Sequence, residues 1–198
     1  MTTFSLNWDY RCPYARNANE HVVAALRGGA DWEVEFIPFS LTAVHVEEGQ
    51  PDVWDDPEKA PELLALQVGM VVHDWFPQSF WDVHLGIFAA RHEEDRDIRD
   101  EEVLRDVLRP HGLGGPVFAM ICERWPVESL RKAHEAQVAD HLTFGVPTFV
   151  MGDEAVFVRL MTRPEGDAEL ARATVEKVLG LLEHSPELNE YKHTTVKR

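Results

Sequence analysis

Cys12-Pro13-Tyr14-Ala15 stands where an alternating strand pattern (Phe4, Leu6, Trp8) gives way to a helical one (Ala15, Ala18, Val22, Ala25, Leu26). Apolar spacing of two before the motif and of three or four after it marks a strand that leads straight into a helix. A cysteine at that junction faces unpaired backbone N–H groups and the positive end of the helix dipole. Both favour the thiolate, the reactive form, so the expected Cys12 pKa lies below that of a free thiol. Pro13 suits the first helical turn, where its missing N–H costs nothing. Position 15, where a dithiol motif carries a second cysteine, is alanine, and the expected chemistry is that of a single thiol.

Outward from the motif, the helix is expected over 13–27 and is stopped by Gly28-Gly29. A second strand follows, with Trp32, Val34 and Phe36 alternating with Glu33 and Glu35, running on through Ile37 to Phe39. Strand, helix and strand with short joints form a βαβ unit, so the two strands are expected to be parallel. From about 57 to 141 the pattern is helical, with candidate helices over 61–72, 80–92, 101–108, 117–124 and 127–140. The acidic stretch 47–61 reads as an entry linker, and His111-Gly112-Leu113-Gly114-Gly115 as a turn between helices. The β signal returns at 145–151, turns at Gly152-Asp153-Glu154 and comes back over 155–158. A last helix over 167–183 carries Ala171, Val175, Val178, Leu179 and Leu182 on one stripe, and a polar tail fills 184–198. The fold class is α/β: βαβ, a helical block, then ββα, with a strand pair from each end in one mixed sheet. The expected division is 1–45 with 142–198 as one domain and 46–141 as a helical insertion.

Composition narrows the function. A chain of 198 residues, 44% hydrophobic, can bury a full core. With 35 acidic against 19 basic residues and a net charge of −16, it lacks the clustered cations that nucleic acid or an anionic membrane surface requires. Two cysteines, Cys12 and Cys122, are too few for a secreted disulfide framework, and no cationic start leads into a long apolar run. The expectation is a cytoplasmic protein. Ten histidines do not make a metal site: His134-Glu135 is followed by His141 rather than by a histidine at i+4, and His73, His84 and His92 are widely spread. His141, just before the Pro147 segment, is a candidate to approach the thiol. Trp54, Trp75, Phe76, Phe80 and Trp81 either line a pocket under the insertion or pack its core.

The chain resembles, along most of its length, the DsbA family, thioredoxin-fold disulfide-bond oxidoreductases with a helical insertion. Three features carry the likeness: Cys12-Pro13-Tyr14 after the first strand, Gly145-Val146-Pro147-Thr148-Phe149 before the third, and the helical block between. The combination is more similar to cytoplasmic members from actinobacteria than to periplasmic oxidases. The resemblance implies that Pro147 follows a cis peptide, and that Val146 offers backbone groups to an extended substrate beside Cys12. Read alone, Pro147 is a trans proline at a strand edge.

Ala15 departs from the family pattern. A dithiol enzyme releases its mixed disulfide by attack from the second cysteine, and alanine has no thiol to attack with. Cys122, in Met120-Ile121-Cys122, reads as a small buried hydrophobe. The resolving thiol is therefore expected to be external, with glutathione or mycothiol as co-substrate and no permanently bound cofactor. In this the site is similar to monothiol glutaredoxins and to kappa-class glutathione transferases. Tyr14 either shapes the sulfur pocket or only packs on its helix. Arg11 and Arg16 flank the thiol and either act on it, by lowering its pKa or holding a carboxylate of a small thiol, or are merely solvated.

The function expected is a thiol–disulfide oxidoreductase working through Cys12 by a mixed disulfide with a low-molecular-weight thiol, on a disulfide or electrophilic substrate. Two alternatives stay open. One is a kappa-class-like transferase or isomerase, in which the small thiol is the nucleophile and Cys12 polarises it. The other is a thioredoxin-fold binding module without catalysis. The aromatic-rich insertion also offers a surface for a homodimer.

Overall fold

The structure, a computed structural model, describes residues 1–44 and 52–193. Its centre is strand β1 (Thr2–Trp8), which buries Phe4, Leu6 and Trp8 by alternation and Asn7 among them. β2 (Trp32–Pro38) pairs with it in parallel, joined by α1 (Pro13–Arg27). Gly29, at φ +87°, makes the left-handed turn that releases the chain from α1 towards β2. β3 (Thr148–Met151) runs antiparallel to β1 and carries β4 (Glu154–Phe157) as a hairpin on its outer side. The sheet order is β2-β1-β3-β4, one mixed sheet with a strand pair from each end of the chain. The last helix, which we number α8 (Ala168–His184), is capped by the Asp167 carboxylate and packs on α1 through the expected stripe, all of it buried.

Between β2 and β3 lie a short helix α2 (Leu41–Val44), which the apolar pattern did not announce, then α3 (Ala60–Trp75), α4 (Pro77–His92), α5 (Glu101–Leu108), a 3-10 turn at Arg109–His111, α6 (Gly114–Ile121) and α7 (Trp125–His141). α3 packs against α4, α6 and α7, and α4 reaches α1. The linker expected over 47–61 falls partly on 45–51, outside the described residues, as do 194–198 of the expected tail. Two local expectations need correction. The turn placed at 111–115 is shorter, because Gly112 at φ +69° makes it and Gly114 already opens α6. Cys122 is exposed, not buried: α6 ends at Ile121, and the buried stripe of Val117 and Phe118 stops before the cysteine.

The five aromatic side chains of the block do not converge on one pocket. Phe80 is core, its ring 4.7 Å from His84, 5.3 Å from Phe36 and 5.9 Å from Trp8. Trp75 is exposed, edge-on to Trp125. Trp54 lies against His134, and Phe76 and Trp81 are half-buried on the core.

A buried polar chain ties α4 to α1. The Tyr10 hydroxyl meets His84 Nδ1 at 2.8 Å, His84 Nε2 meets Asn19 Oδ1 at 3.0 Å, and Asn19 Nδ2 donates to the Ala15 carbonyl at 2.8 Å. One proton arrangement satisfies every member: Tyr10 O–H gives to Nδ1, and Nε2–H gives to Oδ1. Burial lowers the His84 pKa to about 3, which keeps the ring neutral, as this arrangement requires. Gly69 makes room for the Tyr10 hydroxyl, since a Cβ there would stand 2.2 Å from it.

Candidate active site

Cys12 is the N-cap of α1, in extended conformation (φ −91°, ψ 116°), and its sulfur accepts the Ala15 N–H at 3.4 Å. On its other side Sγ lies 3.4 Å from the Val146 carbonyl, to which the thiol donates. The Val146–Pro147 peptide is cis. Two segments 134 residues apart in sequence thus meet at one sulfur. The thiol is nearly covered, with 9% of Cys12 exposed.

The loop that brings Val146 there is held by a residue the apolar pattern did not single out. Asn7, 1% exposed on the central strand, accepts the Thr148 N–H at 2.6 Å. Its Nδ2 donates to the Gly145 carbonyl at 3.2 Å and to Gln137 Oε1 at 3.1 Å. Thr148 Oγ1 donates to the same Gly145 carbonyl at 2.9 Å. The available signal was a lone amide between Leu6 and Trp8 in an otherwise apolar strand, a place where a polar group requires partners. From the far side, Val158 N–H donates to the Pro147 carbonyl at 3.1 Å.

The structure brings Cys12, Pro13, Tyr14, Val146 and Pro147 together, with Pro13 exposed on the first turn of α1 and Tyr14 half-buried beside it. The two flanking arginines are committed elsewhere. Arg11 pairs with buried Asp9 at 2.9 Å and with Glu62 of α3 at 2.8 Å, so it braces the motif against the helical block. Asp9 also accepts the Leu41 N–H, which fixes α2. Arg16 turns to Asn17 Oδ1, at 3.1 Å, and to Glu20, at 4.0 Å. The cation that acts on the thiol comes from the loop after β4. Arg159 stands 5.4 Å from the centres of the Tyr14 and Phe157 rings, and its charge pulls the Cys12 pKa down. His141 is also elsewhere: it lines a cavity of about 450 Å³ against Thr3, Phe4 and Ser5, at the opposite end of β1.

The expectation of a depressed thiol pKa does not hold. Burial pushes the Cys12 thiol up, and the Asp9 carboxylate adds to the rise. The Ala15 and Tyr14 amides and Arg159 oppose them but do not prevail. The helix-start donors are present, but burial of the sulfur, with the Val146 carbonyl 3.4 Å away, outweighs them. Because the shift is upward, the thiol form persists to higher pH than in free cysteine. Alkylation of Cys12 by iodoacetamide is therefore expected to lag free cysteine at neutral pH, with a rate midpoint above the free-thiol value near 8.5. A midpoint below that value, in a Cys122→Ser background that leaves one thiol, would show that the helix terminus outweighs burial.

This sheet order, with a helical block between β2 and β3 and a thiol at the start of α1 facing a Val-Pro loop, is the DsbA-type thioredoxin fold. No protein-family model and no curated protein sequence matches the chain. Solved structures do. A probable DsbA oxidoreductase from Streptomyces coelicolor aligns over 100% of this chain and 94% of its own, at TM-score 0.63 and 15% identity. An HCCA (2-hydroxychromene-2-carboxylate) isomerase aligns over 92% and 98%, at TM-score 0.62 and 14% identity. The cytosolic disulfide reductase DsbM from Pseudomonas aeruginosa, determined with GSH, aligns over 89% and 98%, at TM-score 0.60 and 14% identity. At such identities the likeness is one of fold. Among the described residues, no helix is long and apolar enough to cross a membrane.

Proposed function

We propose that the chain is a cytoplasmic thiol–disulfide oxidoreductase that works through the single thiol of Cys12 and turns over with a low-molecular-weight thiol, glutathione or mycothiol. The observation that carries this reading is the Cys12 sulfur at an α-helix start, 3.4 Å from the Val146 carbonyl, with alanine one turn further on. The fold shared with disulfide oxidoreductases, one of them a cytosolic disulfide reductase determined with GSH, supports it. In the first step Cys12 ionises to solvent and its thiolate attacks one sulfur of a disulfide RSSR. A Cys12–SR bond forms, the S–S bond breaks, and RS⁻ leaves and takes a proton from water. In the second step an external thiolate R′S⁻ attacks the mixed disulfide at the SR sulfur. RSSR′ departs and Cys12 returns as a thiol after protonation. Ala15 leaves this second step to an external thiol.

A kappa-class-like transferase or isomerase is the second reading. The upward shift of the Cys12 thiol favours it, because a protonated S–H is suited to donate a hydrogen bond to a bound small thiolate. The isomerase neighbour shares the fold that this reading requires. Intact mass after exposure to oxidised glutathione or mycothiol disulfide separates the readings, with Cys12→Ser beside the wild type. In a Cys122→Ser background the oxidoreductase gains one thiol adduct at Cys12, reversed by added thiol, and Cys12→Ser loses both adduct and disulfide turnover. Thiol-dependent activity that survives in Cys12→Ser would favour the transferase, and no adduct with no turnover would leave a binding module.

A further inference from the structure

We propose that Arg159 is the anion anchor of the thiol site, so that Cys12 reacts preferentially with small disulfides that carry a carboxylate. The inference rests on the oxidoreductase reading and names the substrate class within it. Every other arginine among the described residues is ion-paired with a carboxylate. In a chain of net charge −16, an arginine left without a carboxylate is out of pattern. Arg159 is exposed, and its recorded neighbours are the Tyr14 and Phe157 rings.

Its place is built rather than incidental. Val158, before it, donates to the Pro147 carbonyl. Leu160, after it, accepts from buried Asn17 Nδ2 at 2.7 Å, and Thr162 meets His21 Nε2 at 3.1 Å. The backbone on both sides of Arg159 is thereby fastened to the two segments that form the thiol site, the Val146-Pro147 loop and α1. The guanidinium lies over the Tyr14 and Phe157 rings and is exposed, an arrangement in which its edge N–H groups can meet an anion from solvent. A planar guanidinium with free donors beside a reactive sulfur fits a carboxylate by two parallel hydrogen bonds. Glutathione carries carboxylates and mycothiol carries none, so the anchor favours the former.

The test compares three disulfides of similar size and opposite charge: dithiodipropionate (anionic), hydroxyethyl disulfide (neutral) and cystamine (cationic). The readout, in a Cys122→Ser background that leaves one thiol, is the rate of adduct formation at Cys12 by intact mass, taken as the ratio of each charged probe to the neutral one. The ratio cancels any change in the thiol pKa that the variants cause. The net charge of the protein alone would make the cation fastest; the anchor makes the anion fastest. Arg159→Lys should keep that order. Arg159→Gln should cut the anion-to-neutral ratio about fivefold, the scale of an exposed ion pair. Arg159→Glu should reverse the order. A wild type that prefers the cation, or an Arg159→Gln ratio equal to that of wild type, overturns the anchor while leaving Cys12 as the reacting thiol. Absence of an adduct with all three probes would instead remove the oxidoreductase reading, and the anchor with it.

Discussion

Ala15→Cys should convert the site to a dithiol one. Position 15 lies one turn along α1 from Cys12, and its backbone N–H already donates to Cys12 Sγ at 3.4 Å. The Ala15 side chain is fully buried, so the added sulfur enters a packed region at a cost of about 1–3 kcal/mol. Mild oxidant should then remove two hydrogens and link peptides containing residues 12 and 15. With the exposed Cys122 replaced by serine, the protein that keeps Ala15 should give only adducts or sulfenic acid at Cys12. The variant should exchange with a model disulfide without added small thiol, which the wild type requires. A folded variant that forms no such bond would mean that residues 12–15 are not disposed as a thioredoxin-type site, and the binding-module reading would move forward. No Cys12–Cys122 bond is expected, because Cys122 is exposed at the end of α6, a helix that packs on α3, α5 and α7.

Asn7→Ala should cost about 3 kcal/mol of stability and slow adduct formation at Cys12. The side chain serves three partners: Thr148 N–H, the Gly145 carbonyl and Gln137 Oε1. The Gly145 carbonyl keeps Thr148 Oγ1, so two groups lose their recorded partner on Asn7, at about 1–3 kcal/mol each when buried. Urea unfolding reads the first effect as a lower midpoint with an unchanged slope. The second effect follows because the loop that places the Val146 carbonyl beside the sulfur then loses its tie to β1 through Asn7 and keeps β3 pairing, the Val158 hydrogen bond and the Thr148 Oγ1 bond to Gly145. A loss of unfolding free energy below about 1 kcal/mol would show that the remaining contacts suffice.

Local periodicity made most of the scaffold legible. Phe4-Leu6-Trp8, the helix after Cys12, Trp32-Val34-Phe36 and the 145–158 hairpin each report their own environment within a few residues, and the sheet follows from their order. The meeting of Cys12 with Val146 and Pro147 was reached only through a resemblance, because nothing local joins residues so far apart. What escaped reading depends on partners rather than on period. Asn7, Asp9 and Asn19 interrupt apolar patterns, yet each is a buried node with a hydrogen bond made to another element. Arg11 and Arg16 looked available because sequence does not show that Glu62 meets Arg11 in space, or that Arg16 turns to adjacent Asn17 and to Glu20 one turn on. Arg159 carried no signal, being one cation in an acidic chain. The thiol pKa erred for a related reason: the helix terminus is visible in sequence, but the cover over it is not.

The Tyr10–His84–Asn19 chain has a mechanical consequence. It ends on the carbonyl of Ala15, within the first turn of the helix that Cys12 caps, and it begins on the far side of the sheet-to-helix junction at Tyr10, against Gly69 of α3. Parting the helical block from the sheet would strand the Tyr10 hydroxyl, a neutral imidazole and the Asn19 amide, all without water, at the moment the surrounding rings separate. The block therefore has no inexpensive way to open as a unit of its own, and the two parts should melt in one cooperative step. Amide hydrogens in α4 and in the first turns of α1 should exchange at a common rate, set by global unfolding.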